Sequence, residues 1–147
     1  MFNKVLYPTD FSGISKKALS FIKQLKESGT KEIVALHVID IRTLEPFHRF
    51  LDEDKYKELE KKRRENVRDS LKAVEKELKE VDFKVKGRIE IGIPFREILR
   101  VEKEEDVSLV VIGSHGMSNL EEIFLGSVSE KVIRRCKKPV LVIKREH

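Results

Sequence analysis

The chain has 147 residues, of which 39% are apolar and 39% charged, and its 31 Lys+Arg against 26 Asp+Glu leave a formal net charge of +5. That length suits one domain with a substantial core, and apolar residues gathered into short dense runs exclude a disordered chain. The interleaving of acids and bases argues against a dedicated nucleic-acid surface, even at Lys61-Lys62-Arg63-Arg64, which Glu58, Glu60 and Glu65 flank.

Residues 4–7 read as a short apolar strand stopped by Pro8, after which Ile14, Ala18, Leu19, Ile22 and Leu25 recur at helical spacing until Gly29. A second apolar run covers residues 32–38. A polar connection then leads into a long charged helix carrying Val67, Leu71, Val74, Leu78 and Val81. Its earlier part, residues 52–66, has only Tyr56 and Leu59 to bury, so it is predicted to project into solvent or meet a partner. Phe83, Val85 and residues 89–93 form a third strand, and Pro94 fits the first turn of a helix carrying Ile98, Leu99 and Val101. Residues 107–112 are the densest strand, residues 128–136 a helix, and residues 139–143 the last strand. This βαβαβαβαβ alternation has no linker or repeat. It predicts a single α/β domain over residues 1–147: a Rossmann-like open parallel five-stranded sheet, order 3-2-1-4-5, with helices on both faces.

Cys136 stands alone, so no internal disulfide and no cysteine-based metal site can form. The chain opens directly into a strand, without a signal-peptide pattern, and no apolar run reaches membrane-spanning length; the expectation is a cytoplasmic protein. Abundant Lys and Glu, with Gln24 the only glutamine, suit a heat-adapted protein.

In open sheets of this class, ligands bind beyond the carboxyl ends of the strands where successive connections leave on opposite sides. With order 3-2-1-4-5 that point lies between the first and fourth strands, so the loops after Tyr7 and Ile112 face one crevice. After Ile112 the chain reads Gly113-Ser114-His115-Gly116, nine further residues, then Gly126-Ser127 opening a helix. Gly113 allows a ligand close to the backbone, Gly116 can turn the chain with a positive φ, and Gly126 exposes amides at a helix start, where phosphate is favoured. Ser127 and Ser129 add hydroxyl donors. Ser127-Val128-Ser129-Glu130 also reads as a capping box, which engages the Ser127 hydroxyl with its own helix. In the other loop, Pro8-Thr9-Asp10 places a carboxylate that either accepts ribose hydroxyls or makes an Asx-turn. His37 reads as a packed core histidine, and His115 is the one histidine near the candidate ligand. The patterns GxxxxGK[ST], GxGxxG and GxSxG are absent, which excludes the common P-loop, the dinucleotide fingerprint and the serine-hydrolase elbow.

The loop Gly113, Gly116, Gly126, Ser127 follows G-x2-G-x9-G-[S/T] without a gap and resembles the ATP-binding branch of the universal stress protein family. Shorter matches are Pro8-Thr9-Asp10, Ala35-Leu36-His37-Val38, Gly92-Ile93-Pro94 and Pro139-Val140-Leu141-Val142-Ile143, so the resemblance spans essentially the whole chain. It implies that Asp10 holds the ribose and that Val38 meets adenine through its backbone, with Pro8, Thr9 and Ile112 also among the nucleotide-binding residues. It places Gly113, Gly116, Gly126, Ser127, Val128 and Ser129 around the phosphates of ATP (or AMP or ADP), with Mg2+ or Mn2+ beside the triphosphate. It also implies a homodimer pairing the final strands, in keeping with an apolar edge at residues 140–143.

No lysine or arginine lies between Gly113 and Ser129, so the loop supplies no cation for the γ-phosphate. The leading expectation is therefore a nucleotide-dependent regulatory or stress-response module whose state an unidentified protein partner reads. A slow or partner-dependent ATPase or phosphotransferase is the first alternative, and an interaction scaffold without nucleotide the second.

Overall fold

The computed structural model describes residues 1–114 and 125–144. Five parallel strands form one sheet in the order β3-β2-β1-β4-β5: β1 (Lys4–Pro8), β2 (Glu32–Asp40), β3 (Lys84–Gly92), β4 (Leu109–Gly113) and β5 (Val140–Ile143). Four helices connect them: α1 (Gly13–Gln24), α2 (Glu53–Lys79), α3 (Pro94–Glu104) and α4 (Ser127–Arg135). This is the predicted α/β architecture and strand order.

The three central strands, β1, β2 and β4, are buried on both faces, which is why they read as apolar runs rather than as alternation. Val5, Tyr7, Ile33, Ala35 and Val111 face α1 and α2. Leu6, Val34, Leu36, Val110 and Ile112 face α3 and α4. Consecutive residues of one strand thus supply the two cores, and helices cover both faces as expected. The first connection packs on one side and the fourth on the other, so the carboxyl ends of β1 and β4 form the switch point.

Local signals set the helix ends. Ser12 caps α1 by accepting the Ser15 N–H at 3.2 Å, and Gly29 closes the following 3-10 turn with φ 94°. Asp52 caps α2 by accepting the Lys55 N–H at 2.8 Å, with Glu53 and Asp54 in its first turn and Lys76 and Lys79 in its last, matching the helix dipole. Cys136 is extended (φ −70°, ψ 135°), so α4 ends at Arg135 rather than running through residue 136.

One sequence expectation needs correction. The first half of α2 does not simply project into solvent: Tyr56 is 5% exposed and packs with Ile39 and Leu44 in a third cluster, joined by Leu51, Leu59 and Val67. The connection after β2 folds into two 3-10 turns (Ile41–Thr43 and Glu45–Arg49), and these carry Leu44 under the helix. Two apolar residues suffice because the connection, not only the sheet, supplies the surface they bury.

At the opposite end of the sheet, the Glu105 side chain is 8% exposed and meets Lys86 at 2.8 Å, Arg88 at 3.0 Å and Lys4 at 3.3 Å. Hydrogen bonding from Lys86 first, then from Lys4 and Arg88, outweighs burial and pulls its carboxyl down to about 2. Among the described residues no helix is long and apolar enough to cross a membrane.

Candidate functional site

The site is built from three strand ends. β1 stops at Pro8, paired with Leu36, and the Thr9 N–H donates to the Leu36 carbonyl at 2.8 Å. β2 continues to Asp40, so it overhangs β1. Backbone polar groups alternate sides along a strand. Val38, two residues beyond Leu36, therefore turns its N–H and C=O to the β1 side, past the place where β1 has left. Its side chain packs against the α3–α4 core, as does that of Ile112, which is 6% exposed.

The turn after β1 is held from several directions. The Thr9 hydroxyl accepts the Phe11 N–H at 3.0 Å and bonds the Ser15 hydroxyl at 2.5 Å, while Tyr7 donates to the Ser15 carbonyl. Thr9 is 6% exposed, and its N–H, carbonyl and hydroxyl oxygen all make bonds inside the protein that hold the turn. Asp10 Oδ1 accepts the Ser12 N–H at 2.9 Å. The Asx-turn reading of Asp10 is thus realised, with the carboxylate still placed at the crevice end of the sheet. The turn forces Phe11 to φ 64°, a left-handed conformation that a bulky residue rarely adopts.

His37 stabilises that conformation. Its ring stacks on Phe11 at 4.9 Å between centroids and 14° between planes, and its Nδ1 lies 2.8 Å from the Thr9 carbonyl. A carbonyl only accepts, so Nδ1 carries the proton and donates. Burial pushes the His37 pKa below its ordinary value, against the Thr9 bond and the nearby Asp10 charge. His37 is half-buried, as a packed histidine should be, but it also braces the site. Neither Phe11 nor this brace was evident in the sequence; the only local hint was the Asx-turn motif itself.

The start of α4 corrects the capping-box reading. Its N-cap is Gly126 (φ −64°, ψ 153°), the first helical bond runs from the Glu130 N–H to the Gly126 carbonyl at 2.9 Å, and no side chain caps the helix. Two tethers set this register: the Gly126 N–H donates to the Ser114 carbonyl at 2.7 Å, and the Ser129 hydroxyl donates to the Gly113 carbonyl at 2.6 Å. Ser127 is therefore the first helical residue, exposed, with its hydroxyl released from capping. The N–H groups of Ser127, Val128 and Ser129 have no intrahelical acceptor. Ser129 is 4% exposed, and its hydroxyl proton is committed to Gly113. Gly116 and His115 lie outside the described residues.

A cleft of about 690 Å³ opens on the other face, between α1 and α2, over Tyr7 and Thr9. Lys23 and Glu77 line it and pair at 3.3 Å. Among the described residues no group of three or more His, Cys, Asp or Glu side chains could hold a metal ion.

A family model described as the universal stress protein family matches residues 1–144. The chain belongs to the universal stress protein family. Universal stress protein MJ0577 of Methanocaldococcus jannaschii is 41% identical over 158 aligned residues, covering 100% of this chain and 98% of the relative. The solved structure of MJ0577 superposes with a TM-score of 0.90 at 43% identity, covering 100% of this chain and 99% of that one. Two more distant structures share the fold of this universal stress protein. One, a universal stress protein in complex with cAMP, has a TM-score of 0.69 at 21% identity, covering 97% of each chain. The other, from Archaeoglobus fulgidus in complex with dAMP, has a TM-score of 0.63 at 19% identity, covering 98% of each chain.

Proposed function

We propose that this universal stress protein is a nucleotide-dependent regulatory module that holds ATP, or AMP or ADP, across the carboxyl ends of β1, β2 and β4. The observation that carries the reading is the uncapped start of α4. Three backbone N–H groups and the exposed Ser127 hydroxyl stand at the positive end of a helix dipole, tethered to the end of β4, and phosphate is the ligand such a terminus favours. In this reading Gly113, Gly116, Gly126, Ser127 and the N–H groups of Val128 and Ser129 surround the phosphates. Asp10 holds the ribose, and the open backbone edge of Val38 meets adenine. The cAMP and dAMP bound by the two distant relatives favour an adenine nucleotide as the ligand class.

Magnesium or manganese fits this arrangement as an ion brought by the triphosphate. At this end of the sheet Asp10 is engaged by the Ser12 N–H and Asp40 by Arg42, so phosphate oxygens and water supply most of the coordination. With no Lys or Arg between Gly113 and Ser129, the site is suited to holding ATP rather than to hydrolysing it quickly.

The same proposal takes residues 1–147 as one cytoplasmic domain that dimerises through residues 139–143. In its support, β5 is an edge strand, and Leu141 and Ile133 are each 38% exposed. Light scattering at micromolar concentration should report a dimer. Mass spectrometry of the nucleotide released from freshly purified protein, followed by ATP titration with magnesium, tests the ligand. Saturable binding supports the proposal, and no binding at millimolar ATP overturns it.

A further inference from the structure

Where α3 meets α4, three cations gather on one aromatic ring. Lys131 Nζ, Arg135 Cζ and Arg96 Cζ lie 4.7, 5.1 and 5.6 Å from the centroid of Phe95. Phe95 is 8% exposed and rooted in the α3–α4 core, whereas the three charged residues are exposed. Sharing one centroid holds the three charges within about 11 Å of one another, on the order of the Debye length, so salt screens their mutual repulsion only in part. The quadrupole of a single ring offsets only part of that repulsion.

Neighbouring cations are treated differently. Arg100, one turn along α3 from Arg96, bonds Glu97 and Glu104 at 2.7 Å each. Arg134, beside Arg135, pairs with Glu130 at 2.9 Å. In a chain with 26 acidic residues, Arg96, Lys131 and Arg135 meet no carboxylate at ion-pair distance among the described residues. Concentrated positive charge with no carboxylate partner among the described residues, set over an apolar floor, is suited to an anion from outside.

We propose that Arg96, Lys131 and Arg135, seated on Phe95, form a phosphoryl-binding site that takes a phosphate monoester dianion. Two guanidinium forks offer paired N–H donors that match phosphate oxygens, and the Lys131 ammonium adds a compact charge. Three cations call for a dianion more than for a single carboxylate. The phosphoryl group can come from a free phosphorylated metabolite or from a phosphorylated side chain of another protein. None of these side chains belongs to the proposed nucleotide site, so the inference does not depend on ATP binding.

The test is an NMR titration of the full chain with inorganic phosphate, following the Phe95 ring signals and the Ser127 and Val128 amides. In the wild type the Phe95 signals should shift saturably. The R96Q/K131Q/R135Q variant should weaken that response at least tenfold while changing ATP affinity less than twofold, and Arg100→Gln should leave it within twofold. If the triple variant unfolds, Arg96→Gln alone should weaken it at least threefold. A phosphoserine peptide that binds tenfold tighter than phosphate, with its unphosphorylated form inert, identifies a protein source; equal affinity identifies a free metabolite. Shifts confined to the Ser127 and Val128 amides, or a Phe95 response that the variants retain, overturn the proposal.

Discussion

The Ser129 hydroxyl donates to the Gly113 carbonyl across 2.6 Å and ties the first turn of α4 to the last residue of β4. Ser127, two residues earlier, makes no capping bond and is exposed. The two serines should therefore separate. Ser129→Ala should cost about 1 kcal/mol of stability, the usual worth of a partly buried hydrogen bond, and lower nucleotide affinity by loosening the helix start. Ser127→Ala should change stability by less than about 0.5 kcal/mol while still weakening nucleotide binding a few-fold. Urea denaturation and calorimetric titration of the two variants measure both effects.

Asp10→Asn tests whether the carboxylate does more than make its turn. Asparagine keeps a carbonyl oxygen for the Ser12 N–H, so the fold should persist with nearly wild-type stability. Loss of the charge and of one acceptor should raise the Kd for ATP roughly tenfold, the cost of a charge-assisted hydrogen bond. An unchanged Kd would leave the turn as the only function of Asp10.

His37 should make stability depend on pH in a known direction. Its folded pKa is depressed by burial, so below about 6.5 the unfolded chain takes up a proton that the folded protein resists. Stability from this group is complete above pH 6.5 and falls as the pH drops toward the folded value. His37→Gln should flatten that part of the curve, as read by urea midpoints between pH 5 and 8.

Glu105 acts in a different window. Its carboxyl is held down to about 2 by Lys86, Lys4 and Arg88, so its contribution is present above about 4.5 and is lost as the pH falls toward 2. Glu105→Gln should destabilise the protein at neutral pH on the order of 2 kcal/mol, typical of losing charged hydrogen bonds. The difference between variant and wild type should shrink in acid.

Tyr56→Ala examines the packing of the first half of α2. Removing a side chain that is 5% exposed between Ile39 and Leu44 should cost about 3 kcal/mol, as for other buried aromatic truncations. A change below about 0.5 kcal/mol, the range for exposed positions, would return this segment to solvent.

The order of elements, the parallel sheet and the location of its switch point were legible in the residues. Apolar runs, helical spacing and the glycine, proline and cap residues act over a few positions, and the handedness of βαβ crossovers restricts how such units assemble. Cap assignment was less secure. Ser127 and Gly126 both suit a helix start, and only the bonds from Gly126 to Ser114 and from Ser129 to Gly113 chose the register. The same holds for His37, whose neighbours in sequence are apolar but whose partners are Thr9 and Phe11 from another strand end. Arg96, Lys131 and Arg135 look like ordinary solvated charges along two helices until α3 and α4 pack and put them on one ring. The chain alone therefore determined which segments form and how they alternate, because those preferences are local. Which hydrogen bonds close, which charges gather on one ring and what covers Tyr56 were decided by tertiary packing, because each depends on residues that only the fold brings together.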